Sequence, residues 1–78
     1  MINIRNVNGY FALADVGGNL LLCSPDKPSV VPLEQNQFSI ILPSLEPIYV
    51  KLDDCTINND TPTDTNDFIT MMIALFPL

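Results

Sequence analysis

What most constrains the fold of this chain is its punctuation. Short apolar or alternating runs lie at 2–7, 10–14, 19–23, 29–33, 37–42, 48–57 and 67–76. Between them fall Asn8-Gly9, Val16-Gly17-Gly18, the segment 24–28 with Pro25 and Pro28, Glu34-Gln35-Asn36, the segment 43–47 between two prolines, and a polar stretch over 58–66. Short runs separated at this spacing by turn residues predict an all-β fold, a small antiparallel sandwich or barrel of six or seven short strands. Residues 1–78 make one domain, with 58–66 expected as a protruding, mobile polar loop. A chain of this mass buries only about 60% of its extended surface, so small domains of this kind lean on disulfides, metals or oligomerisation.

Turn chemistry orders the first strands. Asn8-Gly9 supplies two residues tolerant of positive φ, as a type I′ hairpin demands, so 2–7 and 10–14 are expected to pair. Gly17-Gly18 serves similarly before 19–23, and the first third becomes a three-stranded meander. Pro32 lies inside its run, which points to an edge strand or an irregular segment. Ile48, Val50 and Leu52 alternate with Tyr49, Lys51 and Asp53, the pattern of a half-buried strand, expected to extend toward Ile57. Asp53-Asp54 marks the point where that strand leaves the core.

The run from Asp67 to Phe76 fits two structures. A helix has caps at Thr65 or Asn66 and good helix formers in Met, Ala and Leu. It would, however, be apolar on every side, and so small a domain has little protein to surround it. A strand, the favoured reading, buries Ile69, Met71, Ile73 and Leu75 on one face and pairs with 48–57 across the polar loop. In either form one side of the segment asks for a partner.

The composition excludes most chemistry. There is no histidine, so no Ser–His or Cys–His pair can form within the chain. None of the serines lies in a Gly-x-Ser-x-Gly setting, and no phosphate-binding glycine motif occurs. Cys23 and Cys55, 32 positions apart, are too few for a structural zinc site and are expected to be free, buried thiols. Asp53 and Asp54 would face opposite sides of a strand and do not converge. Asp60, Asp64 and Asp67 carry hard oxygens but lack the glycine and terminal Glu of an EF-hand, so they are expected to be a solvated acidic loop. No cofactor and no enzyme activity are expected.

Charge narrows the partners. Nine acidic and three basic residues give a net charge of −6, which opposes binding to nucleic acid or to an anionic membrane. Charged residues make up 15% of the chain against about 25% in a typical domain. A charge-poor surface favours lasting protein contact, since interface cores are depleted in charge. The first residues carry no basic segment leading into an apolar one, and no apolar run is long enough to span a bilayer. A soluble product made in the cytoplasm is expected.

The resulting expectation is a non-catalytic structural or assembly protein that self-associates, with a trimer favoured, and binds another protein such as a shell subunit. Its profile is similar to that of phage capsid decoration (cement) proteins: short, acidic, β-rich and without catalytic apparatus, with a virion as destination. No motif carries that likeness. The interface residues expected are Phe68, Ile69, Met71, Met72, Ile73, Leu75 and Phe76, with Ile2 and Ile4 at a strand that could add to a partner's sheet. The alternative is a small acidic inhibitor or regulatory binding protein that uses the acidic 53–67 region.

Overall fold

The computed structural model describes residues 1–77. The strands are β1 (Ile2–Val7), β2 (Tyr10–Ala14), β3 (Leu20–Ser24), β4 (Ser29–Pro32), β5 (Gln37–Ile41), β6 (Ile48–Lys51) and β7 (Cys55–Ile57), followed by one helix, α1 (Thr65–Leu75). They form a four-stranded sheet in the order β3-β2-β1-β7 and a three-stranded sheet in the order β4-β5-β6. The fold is mostly strands in two sheets with a C-terminal helix. The meander β1-β2-β3 forms as the turns dictate, and β4, which ends at Pro32, is an edge strand.

Asparagine carries the tight turns. Asn8 and Gly9 have φ of 54° and 88°, both in the left-handed region that a type I′ turn requires. Gln35-Asn36 and Asn58-Asn59 repeat the pattern with no glycine. Asn tolerates positive φ because its short polar side chain bonds locally. The second of these turns joins β4 to β5, and the third closes a bridge between Ile57 and Asp60.

Alternation then sets the faces. In the first sheet Ile4, Phe11, Leu13, Cys55 and Ile57 are buried, and in the second Phe38, Ile40 and Val50 are buried. The helix ties the two sheets together. Phe68, Met72 and Phe76 recur at every fourth position from its first turn to its C-cap, and all three are buried. Phe68 stacks on Phe38 of the second sheet, with ring centroids 3.9 Å apart and planes within 5°. Phe76 meets Phe11 of the first sheet at 5.7 Å and 40°. Asn6 Nδ2 donates to the Leu75 carbonyl at 2.8 Å, satisfying one of the carbonyls that a helix end leaves open.

Three sequence expectations are corrected. The 67–76 run is a helix, not the favoured strand. As a helix it covers its apolar residues, because Phe68, Met72 and Phe76 face the core while Ile69, Met71 and Leu75 pack half-buried beside them. Its N-cap is Asp64, which accepts from the Asp67 backbone at 2.8 Å, while the Asp67 carboxylate accepts from the Thr63 backbone at 2.8 Å. Second, β7 is not continuous with β6. A 3-10 turn over Leu52–Asp54 carries the chain from the second sheet to the first, where β7 pairs parallel with β1. Asp53 and Asp54 sit at that departure point, as the pattern indicates. Third, the 58–66 loop does not protrude along its whole length. Asn58 donates its backbone N–H to the Ile4 carbonyl at 2.7 Å, Asn3 and Asn59 bond reciprocally, and Pro62 is buried.

The accessible surface is 4916 Å², close to the roughly 4,700 Å² that mass alone predicts for a compact monomer. The folded chain is thus as compact as its mass allows. Because the stacked Phe38–Phe68 pair lies at its centre, Phe68→Ala is expected to destabilise the protein by about 3–5 kcal/mol. Urea unfolding followed by circular dichroism measures this, and a loss below about 1 kcal/mol would contradict the central place given to the pair.

Candidate protein-interaction surfaces

Of the nine residues nominated from the sequence, four belong to the chain's own interior. Ile4, Phe68, Met72 and Phe76 are buried. Ile2, Ile69, Met71 and Leu75 are half-buried and packed on the same core. Only Ile73, 61% exposed, stands open. The helix therefore does not present two uncovered apolar sides. Nor can Ile2–Arg5 add to a partner's sheet, because β1 is flanked by β2 and β7.

The true sheet edges are each blunted. β4 ends in Pro32, β6 follows Pro47 and carries Lys51, and β7 has three residues. β3 carries a bulge: Leu13 pairs with Leu22 but Ala14 pairs with Leu20, which leaves Leu21 extra. Proline, charge, shortness and bulges are the devices by which edges resist strand addition. Contact with another protein must then go through side-chain surfaces.

Two such surfaces are largely apolar. None of the nine carboxylates lies in a strand; all fall in turns, loops or the helix start. The first surface is the outer face of the second sheet. Val31, Ser39 and Tyr49 lie side by side across β4, β5 and β6, and Ile41 follows Ser39 on the same face. Tyr49 is 65% exposed, and Val31, Leu33 and Ile41 are also exposed. The helix packs on the inner faces, and on this outer one Ser39, at its centre, is buried while Val31, Ile41 and Tyr49 around it are exposed.

The second surface is made by the bulge. Regular alternation would turn Leu20 to the opposite face from Leu21, but the extra residue shifts the register and leaves both exposed, at 62% and 57%. Val16, in the adjoining turn, is 82% exposed. The run Leu20-Leu21-Leu22, three identical apolar residues where a half-buried strand alternates, was the only sequence sign of it. Beside this end opens a shallow cavity of about 420 Å³, walled by Met1, Ala14 and Val16 and by Asn3, Arg5, Asp15, Thr56 and Asn59. Asn3 organises its far side: its Oδ1 accepts from Thr56 Oγ1 at 2.8 Å and from the Asn59 backbone at 3.0 Å.

Asp15 holds the turn. Its carboxylate accepts from the backbones of Gly17 and Asn19, each at 2.9 Å, and from Asn19 Nδ2 at 3.1 Å. These bonds, the Asn19 backbone bond foremost, hold its carboxyl below the ordinary value of 3.8. Folding thus favours the ionised form. Its contribution is complete above the unfolded value and is lost as pH falls through the lowered folded value.

The cysteines differ from expectation in one respect. Both are free, but Cys23 is exposed on the outer side of β3 while Cys55 is buried. Alternation past the bulge places Ser24 inward and so Cys23 outward. Burial, aided by the charges of Asp54 and Asp53, pushes the Cys55 thiol up to about 11. Among the described residues there is no cluster of three metal-ligating side chains, and no helix is long and apolar enough to cross a membrane. Asp64 and Asp67 serve as helix caps. Comparison with protein-family models, curated proteins and solved structures found no match.

Two outcomes follow from these environments. With a thiol reagent at pH 8, Cys23 is expected to react at once and Cys55 only at the rate of unfolding, read as one modification per folded chain by mass spectrometry. The Gly17 and Asn19 amide proton resonances should shift on acidification with a midpoint below 3.8, and Asp15→Asn should abolish that titration.

Proposed function

We propose that this chain is a non-catalytic assembly subunit that self-associates and docks on another protein. One observation carries the reading: with most of the helix's apolar residues engaged in its own core, two largely apolar areas still lie open on so small a chain. Monomeric proteins seldom expose contiguous apolar patches larger than a few hundred Å², and larger ones rimmed by polar residues mark contact sites. Here the acidic turns are the rim. Two areas suit a subunit with a neighbour on each side.

The concrete form of the proposal is a small virion component, seated as a homo-oligomer on a protein shell in the manner of a capsid decoration protein. No catalytic role is proposed. The absence of histidine, the inert buried thiol and the engagement of Asp15, Asp64 and Asp67 in structural bonds support that view. Neither nucleic acid nor an anionic membrane is a proposed partner, since the strand faces offer only Arg5 and Lys51 as positive charges against a net −6.

Light scattering after size exclusion tests the reading. Apolar assembly predicts an oligomer that persists in high salt, because burial of apolar surface is not screened. A monomer at every concentration, with any partner binding lost as salt rises, would instead identify an acidic inhibitor or regulatory binder.

A further inference from the structure

We infer that Asn8 is a site of spontaneous deamidation and that the Asn6 side chain sets its rate, by holding the Gly9 amide proton whose loss starts the reaction.

Asn8 is the one asparagine of the chain that precedes a glycine. Deamidation begins when the backbone nitrogen of the next residue gives up its proton and attacks the asparagine Cγ. A new N–Cγ bond forms, the bond from Cγ to the side-chain nitrogen breaks, and that nitrogen takes up a proton and departs as ammonia. Water then opens the resulting succinimide to aspartate or isoaspartate, and no oxidant or reductant takes part. Glycine leaves the attack unhindered because it has no Cβ. Asn8 and Gly9 are both exposed, and nothing lies within 4 Å of where a Cβ on Gly9 would stand, so water reaches the site.

What is held is the amide proton. The Gly9 backbone N–H donates to Asn6 Oδ1 at 2.7 Å. Asn6 is itself oriented, because its Nδ2 donates to the Leu75 carbonyl at 2.8 Å. A side-chain amide has one accepting and one donating end, so the helix carbonyl fixes which end faces Gly9. Loss of one such bond raises the population of the free amide about three- to tenfold. The amides that follow Asn58 and Asn66 are held in the same way, by the side chains of Asn3 and Asp64 at 3.0 and 2.8 Å. Those amides belong to residues that carry side chains of their own. Asn8 is therefore the first asparagine to react. Its isoaspartate product carries the main chain through Cβ and Cγ, which lengthens the two-residue turn that sets Val7 opposite Tyr10.

Peptide mapping of the intact chain after prolonged incubation in mildly alkaline buffer tests this, by resolving asparagine, aspartate and isoaspartate at each position. In the wild type, position 8 should be modified first, and more slowly in the folded chain than in urea. Asn6→Ala leaves the Gly9 amide unheld and should speed the reaction about three- to tenfold. Asn6→Asp also loses the bond to Leu75 but keeps an accepting oxygen whichever way it turns, so it should react no faster than the wild type. Acceleration by both variants would mean that loosening at the helix end sets the rate, and no acceleration by Asn6→Ala would mean that Asn6 does not. Either result overturns the inference, as does earlier modification of another asparagine. Hydrogen exchange checks the same bond without a variant: the Gly9 amide should exchange more slowly in the folded chain than in the urea-unfolded one, and equal rates overturn the role given to Asn6.

Discussion

Phe68 and Phe76 stand two turns apart on the helix, and each meets a phenylalanine from a different sheet. No hydrogen-bonded ladder joins the two sheets, so their association depends on side-chain packing and on the helix that bridges them. In so short a chain the sheets alone would leave their inner faces open. The spacing of Phe68, Met72 and Phe76, one residue every four, is what lets a single helix close both.

That closure decides what remains for contact. Once the helix is turned inward, the outer face of β4-β5-β6 and the bulged end of β2-β3 gather most of the exposed apolar side chains, with Val7, Tyr10, Leu45 and Ile73 exposed elsewhere. Neither has a carboxylate on its strands, because the carboxylates sit where the chain turns. The same acidic turns that hold the hairpin at Asp15 and start the helix at Asp64 keep negative charge out of the sheets. Local bonding and surface chemistry are thus set by the same residues.

Much of the strand pattern was legible in the residues. Asn8-Gly9 announced its hairpin because two positive φ angles are needed there and those residues tolerate them. Pro32 announced an edge because it cannot donate to a ladder. Gln35-Asn36 and Asn58-Asn59 make turns of the same handedness, yet without glycine their signal was weaker. The contact surfaces were barely legible. Leu20 and Leu21 fall in the run 19–23 without distinction, and the bulge that turns both outward is a property of pairing between strands, invisible in one strand alone.

By itself the sequence determined the position of most of the short elements, several of the turns that join them, the scarcity of reactive groups and the acidic, charge-poor composition. These are local or compositional properties, set by backbone sterics and by which side chains are present. Only the tertiary structure decided that 65–75 is a helix, that β7 lies parallel beside β1, and that Cys23 faces out while Cys55 is buried. The helical run has local propensity for either form; the phenylalanines at 11 and 38, far off in the chain, settle the choice by offering surfaces that only a helical spacing can reach.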